Sequence, residues 1–139
     1  MNSPYLALDF GTKRTGVALS VSGLIAEPLS TINWEPPHTA QLMEEIIRLI
    51  AVHEVATVIA GVPANEDDSP TQQAMKTIHL IKHLETALAE RELNIPIIRV
   101  NEYLSTQDAR QLFPEADKDA GAAAVLLQDY LEANPSPHA

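Results

Sequence analysis

An acid and two bases lie within six residues of one another in Leu8-Asp9-Phe10-Gly11-Thr12-Lys13-Arg14. An apolar run delivers Asp9 at its end, Gly11 permits a tight turn, and a second apolar run, Thr15 to Ser20, leads straight back. Lys13 and Arg14 fall at the tip of that hairpin, beside the carboxylate. One acid beside two bases suits chemistry on phosphate: the acid can hold a divalent metal and the bases the phosphate charge. Two further acids can reach the same place. Glu102 sits just past the last apolar strand, and Asp119 opens the final helix. Three carboxylates with no obvious thiol or histidine partner suit a hard, oxygen-liking cation such as Mg²⁺ or Mn²⁺. Two such ions about 4 Å apart can activate a water and stabilise a leaving oxygen in phosphodiester cleavage. Taken singly, each acid also has a plain account. Asp9 belongs to a polar turn, Glu102 to an exposed strand end, and Asp119 to a helix N-terminus that favours negative charge.

The elements that must position these residues can be read from pattern. After the hairpin, Pro28 to Asn33 reads as a third short strand. Thr39 reads as the N-cap of a helix through His53, with Leu42, Ile46, Leu49 and Ile50 on one face. Val55 to Gly61 is an apolar run of strand length between two helices, hence a buried, parallel strand, and Val62 to Asp68 is a loop. Ser69-Pro70-Thr71-Gln72 combines a Ser cap, Pro at the first helical position and Gln as capping-box partner, opening a helix to about Arg91. Ile97 to Val100 is another strand, ending at Asn101-Glu102. Ser105 to Asp108 caps a short helix that Pro114 stops, and an Ala- and Leu-rich helix runs from Lys118 to Ala133. The order β β β α β α β α α predicts an α/β fold with a mixed sheet. In an open sheet of this kind ligands collect beyond the carboxyl ends of the strands, so Asp9 and Glu102 can share an edge.

At 139 residues, 45% of them apolar, residues 1–139 form one domain with a proper core. The chain has no Cys, so it has no disulfide framework, thiolate nucleophile or Cys-ligated zinc. Met1-Asn2-Ser3-Pro4 shows no signal-peptide pattern, and no apolar run approaches a membrane span, so a cytoplasmic protein without membrane contact is expected. Nine bases against nineteen acids give a net charge of −10. Such a balance argues against nucleic acid, whose binders usually carry basic excess, but says little about one local patch. His79 and His83 have the spacing of a metal pair without a third ligand, and read as surface residues. Glu66-Asp67-Asp68 reads as a solvated loop. Trp34 and Tyr103 could stack on bases, though isolated aromatics are more often packing residues.

The chain resembles the YqgF (RuvX-like) family over nearly its whole length. The resemblance rests on Leu8 to Ala18, on Gly61-Val62-Pro63 with Asn65, on Glu102-Tyr103-Leu104-Ser105-Thr106 with Ala109, and on Asp119 with Ala122 to Leu131. It implies a ribonuclease H-like mixed β-sheet flanked by helices. It also implies a nuclease acting on the 5′ end of pre-16S rRNA in ribosome biogenesis, with Asp9, Glu102 and Asp119 as its catalytic, metal-binding acids. Lys13, Arg14, Tyr103, Ser105 and Thr106 are then expected at the substrate. Three departures from the family pattern remove positive charge or loop flexibility from that face. They are Asn101-Glu102-Tyr103 for Asp-Glu-Arg, the acidic run Glu66-Asp67-Asp68 in place of a glycine, and a short Phe113 to Lys118.

The substrate is thus expected to be structured RNA, pre-rRNA first, or branched DNA cut in the manner of a Holliday-junction resolvase. A different class, a non-catalytic RNA- or ribosome-associated module, stays open. An actin-like nucleotide-binding reading of the Asp-x-Gly-Thr hairpin would need a second domain, which 139 residues do not supply. A monomer or weak homodimer is expected.

Overall fold

The computed structural model describes residues 3–63, 71–102, 113–114 and 117–134. Its strands are β1 (Tyr5–Phe10), β2 (Arg14–Ser20), β3 (Glu27–Asn33), β4 (Thr57–Pro63) and β5 (Ile97–Glu102), and its described helices are α1 (Thr39–Val52), α2 (Gln72–Glu90) and α3 (Lys118–Ala133). They form one sheet in the order β3-β2-β1-β4-β5. β1, β2 and β3 make an antiparallel meander, while β1, β4 and β5 run parallel. The mixed α/β sheet expected from the element order is therefore present. The short helix expected after Ser105 lies outside the described residues, as do Glu66-Asp67-Asp68.

Strand alternation sorts the core into two layers. Leu6, Leu8, Phe10, Val17, Val58, Ala60 and Val62 face α1 and α2, meeting Leu42, Ile46, Ile50, Ile81 and Leu84. Tyr5, Ala7, Ala18 and Ile59 face the other way, onto Ala123, Ala124, Leu127 and Leu131 of α3. The small residues on that side let α3 lie close to the sheet. Asp9 continues the Tyr5, Ala7 parity and Glu102 continues the Ile98, Val100 parity. Both carboxylates thus stand on the α3 face, at the carboxyl ends of their strands.

Five local readings shift. The first turn of α1 has His38, not Thr39, at its N-cap, and no side chain caps it. The cap of α2 is Thr71, whose Oγ1 accepts from the Ala74 amide at 3.0 Å; with Gln72 the first helical residue, Ser69 and Pro70 lie upstream of the helix, outside the described residues. β4 starts at Thr57 rather than Val55, because the chain leaves α1 through Glu54 at a φ of 51° and the Ala56 amide donates to Pro4 instead of entering the ladder. Val62 and Pro63, read as loop, extend the strand, and β5 likewise carries Asn101 and Glu102 within its pairing.

Candidate active site

Asp9 and Glu102 come from strands that are not neighbours, since β4 runs between them. Their side chains meet because the intervening position is Gly61. A Cβ there would lie 2.7 Å from Glu102 Oε2 and 2.8 Å from Leu126 Cδ2. The bare backbone of β4 leaves the gap across which Glu102 hydrogen-bonds to Asp9.

The third acid is brought in by a second glycine. Gly16 pairs with Asp9 across the β1–β2 ladder. A Cβ on Gly16 would fall 1.9 Å from the Asp119 carbonyl oxygen and 2.3 Å from its carbon. The first turn of α3 therefore lies directly on β2, in space that only glycine leaves free. The turn is fixed by its cap, Asp117, whose Oδ1 accepts from the Asp119 amide at 2.9 Å and from the Thr31 hydroxyl at 3.0 Å. Asp119 itself faces Arg14, with Oδ2 3.4 Å from Nε. That oxygen is buried and makes no hydrogen bond among the described residues.

The three acids are thus not equivalent. Asp9 and Glu102 form a hydrogen-bonded pair, whereas Asp119 acts on Asp9 through its charge and is held by Arg14. Among the described residues, no three acidic or histidine side chains close into a ready ligand set. Burial, and secondarily the charge of Asp9 and the hydrogen bond with it, push Glu102 up to about 9. Burial also raises Asp9, the hydrogen bond from Glu102 pulls it back, and the charge of Asp119 raises it again. At neutral pH the pair therefore shares one proton, with Glu102 donating to the Asp9 carboxylate. This donor set fits a divalent cation. The shared proton holds together two oxygens that would otherwise repel, and a cation of higher charge can replace it. The Asp119 carboxylate, ion-paired with Arg14, acts on Asp9 through its charge, and all the donors are hard.

A stability profile follows from the same pair. The unfolded chain releases the Glu102 proton near the ordinary 4.5, and the folded protein keeps it to about 9. Between those values the folded state binds more protons, so stability declines as pH rises, and the loss is complete above the folded pKa. In chelator, the melting temperature is expected to fall steadily from about pH 5.5 to about pH 9. A profile that is flat or rising over that window would show that the two carboxyls do not share a proton.

Lys13 and Arg14 lie exposed at the hairpin tip, as expected. The turn is closed by the Gly11 amide on the Arg14 carbonyl at 2.8 Å, and the Trp34 amide donates to the Lys13 carbonyl at 2.9 Å. Tyr103, Ser105 and Thr106 lie outside the described residues. His79 and His83 sit on the exposed side of α2 with ring centres 6.4 Å apart. Gly16, Gly61 and Asp117 were not singled out by sequence reasoning as parts of the site. The signal available for the glycines was their place inside strand patterns, where Gly often marks a close backbone approach.

A mixed sheet with a helix laid across it is the frame of the ribonuclease H-like fold, and solved structures share it. RuvC of T. thermophilus in complex with a Holliday junction substrate superposes with a TM-score of 0.63 over 93% of each chain at 12% identity. The yeast mitochondrial Holliday junction resolvase Ydc2 gives 0.52 over 96% of this chain and 82% of that one, at 11% identity. At such identities the likeness establishes the fold alone. The family comes from sequence. The family described as "RuvX: Holliday junction resolvase" matches residues 3–133. A relative from Fusobacterium nucleatum is 33% identical over 92% of this chain and 96% of its own length, and one from Chloroflexus aggregans is 37% identical over 95% of each. Both carry the name "Putative pre-16S rRNA nuclease". The chain belongs to the RuvX family, and so to the hydrolases that act on phosphodiester bonds. No helix among the described residues is long and apolar enough to cross a membrane.

Proposed function

We propose that this chain is a divalent-metal-dependent nuclease that trims the 5′ end of pre-16S rRNA, with Asp9, Glu102 and Asp119 as its metal-binding acids. The observation that carries the reading is the Asp9–Glu102 pair at the carboxyl edge of the sheet, beside the Arg14–Asp119 ion pair. The names of the curated relatives supply the RNA. A bound cation would supply a water of lowered pKa and a Lewis acid for the phosphate.

The chain's own residues do the rest. Asp9 and Glu102 hold their carboxylates on adjacent-but-one strands, which fixes their separation without a flexible loop. Arg14, half exposed, can exchange the Asp119 carboxylate for a substrate phosphate, which frees Asp119 to turn toward the pair. Lys13 holds a neighbouring phosphate.

The net charge of −10 is compatible with this. Arg48, Arg91 and Arg99 are each paired with a glutamate away from the site, while Lys13 is in no ion pair among the described residues. Lys13 therefore leaves its charge available to a polyanion at the hairpin, beside the acids. A second reading, cleavage of branched DNA, is favoured by the family's description. A cleavage assay with Mn²⁺, comparing a pre-rRNA 5′ leader with a four-way DNA junction, separates the two. Leader-specific cutting abolished by chelator is expected. Cutting of the junction alone would establish the second reading.

Metal should also stabilise the fold, since only the assembled site binds it. At a hundredfold excess of Mn²⁺ over its dissociation constant the gain is about 2.7 kcal/mol. Asp119→Asn should shrink the Mn²⁺-induced rise in melting temperature while leaving the metal-free melt no lower than that of the unaltered protein. Equal rises in both proteins would remove Asp119 from the metal site.

A further inference from the structure

A cavity of about 320 Å³ opens on the α1–α2 side of the hairpin tip, away from the acid pair. One wall is the turn itself, at Gly11 and Thr12. Trp34 forms another, and α2 contributes Lys76, His79 and His83 along its exposed face. The volume is at the small end for a ligand site, suited to a single nucleotide and not to a duplex.

Three features make it a built site. The lining sets Trp34 beside Lys76, His79 and His83, in a chain of net charge −10. Lys76 is in no ion pair among the described residues, unlike Arg48, Arg91 and Arg99. The indole Nε1–H of Trp34 is buried with no acceptor among the described residues, so a ligand acceptor there would satisfy it. The cavity also shares Trp34 with a second hollow beside the hairpin tip, whose other side is Lys13 and Arg14. The Trp34 amide donates to the Lys13 carbonyl, which ties Trp34 to the hairpin that carries Asp9.

We propose that this cavity receives one nucleotide of single-stranded RNA, its base stacked on Trp34 and its phosphate on Lys76, with the chain running from there over Lys13 and Arg14 to the acids. The assignment rests on the nuclease reading and adds to it a subsite on the opposite side of the hairpin. It makes the enzyme selective for RNA with an unpaired stretch beside the scissile bond.

Trp34 is the one tryptophan of the chain, so it reports its own cavity. The probe is an oligouridylate of about ten nucleotides, within the length range of single-strand sites, titrated in chelator so that cleavage does not contribute. Saturable quenching of Trp34 emission is expected, with little from an RNA duplex of equal length. With a fluorescein-labelled probe followed by polarisation, Trp34→Leu should weaken binding about tenfold or more, the range of one lost base stack. Lys76→Ala is on an exposed position and leaves folding untouched. It should weaken binding and lower the salt slope by about 0.7 for the lost phosphate contact. Unchanged emission at saturating RNA, or wild-type affinity and slope in Lys76→Ala, overturns the subsite, as does equal quenching by duplex. If that occurs while Asp9-dependent cleavage persists, the nuclease reading stands without it. If the RNA quenches Trp34 and Lys76→Ala weakens it while no cleavage is found, the subsite stands and the nuclease reading falls.

Discussion

Asp9→Asn is expected to yield a folded protein that cleaves RNA about a thousandfold more slowly, or not measurably. Asp9 is the carboxylate on which the other two converge: it accepts the Glu102 hydrogen bond and feels the charge of Asp119. Asparagine keeps the shape and removes the charge that a divalent cation needs. Losing several kcal/mol of charge stabilisation in the transition state corresponds to about three decades in rate. The same substitution takes away the charge that helps raise Glu102, so the decline of stability with rising pH should become shallower. The two readouts are kcat/KM on a pre-rRNA leader with Mn²⁺, and thermal melts across the pH range in chelator. Cleavage within tenfold of wild type by a purified Asp9→Asn protein would mean that the acid pair is not where the chemistry occurs.

Gly16→Ala should be nearly as damaging, for a reason that involves no charge. The added carbon would sit 1.9 Å from the Asp119 carbonyl oxygen and 3.0 Å from the Ala120 amide, both backbone atoms in the first turn of α3. No rotamer change relieves such a contact, so the helix end must lift from β2. Overpacking of this kind costs about 1–3 kcal/mol, occasionally more. The shift also carries Asp119 away from Asp9, and a displacement of about 1 Å at a reacting site can cost about a hundredfold in rate. Gly61→Ala makes a useful contrast. The atoms it would strike are the ends of Glu102 and Leu126, which can turn aside. It should melt closer to wild type yet lose the Asp9–Glu102 hydrogen bond. Melting temperature and Mn²⁺-dependent cleavage, measured on both variants, separate the two mechanisms. A Gly16→Ala protein that melts and cuts like wild type would show that α3 does not rest on β2 as described.

These two glycines also mark where sequence reading stops. The hairpin, the three long helices and the parallel character of β4 were legible, because apolar periodicity and punctuation by Gly and Pro are local signals. The start of β4 was not, since Val55 and Ala56 are as apolar as the strand and only the pairing of Ala56 with Pro4 excludes them from the ladder. The cap of α2 was misplaced by two residues because the hydroxyls of Ser69 and Thr71 are equally good acceptors for a cap by residue type, and it is Thr71 that accepts from the Ala74 amide. Asp9, Glu102 and Asp119 could be picked out by type and position. That β4 lies between the first two, and that its glycine is the aperture joining them, requires the strand order. Arg14 was expected to wait for phosphate, and its present partner, Asp119, became visible only with the helix in place.

The first strand and the last helix are packed against each other, with the rings of Tyr5 and Tyr130 6.2 Å apart. In a chain made from the N-terminus onward, Asp9 emerges early and Asp119 near the end. β5 has no sheet edge to join until β4 has paired with β1. Long-range contacts of this sort are made late. A nascent chain therefore carries isolated acids for most of its synthesis and acquires a complete set only when the last helix closes onto β2. On the proposed reading, an unfinished copy cannot cut, because cleavage would await the closure of that last helix.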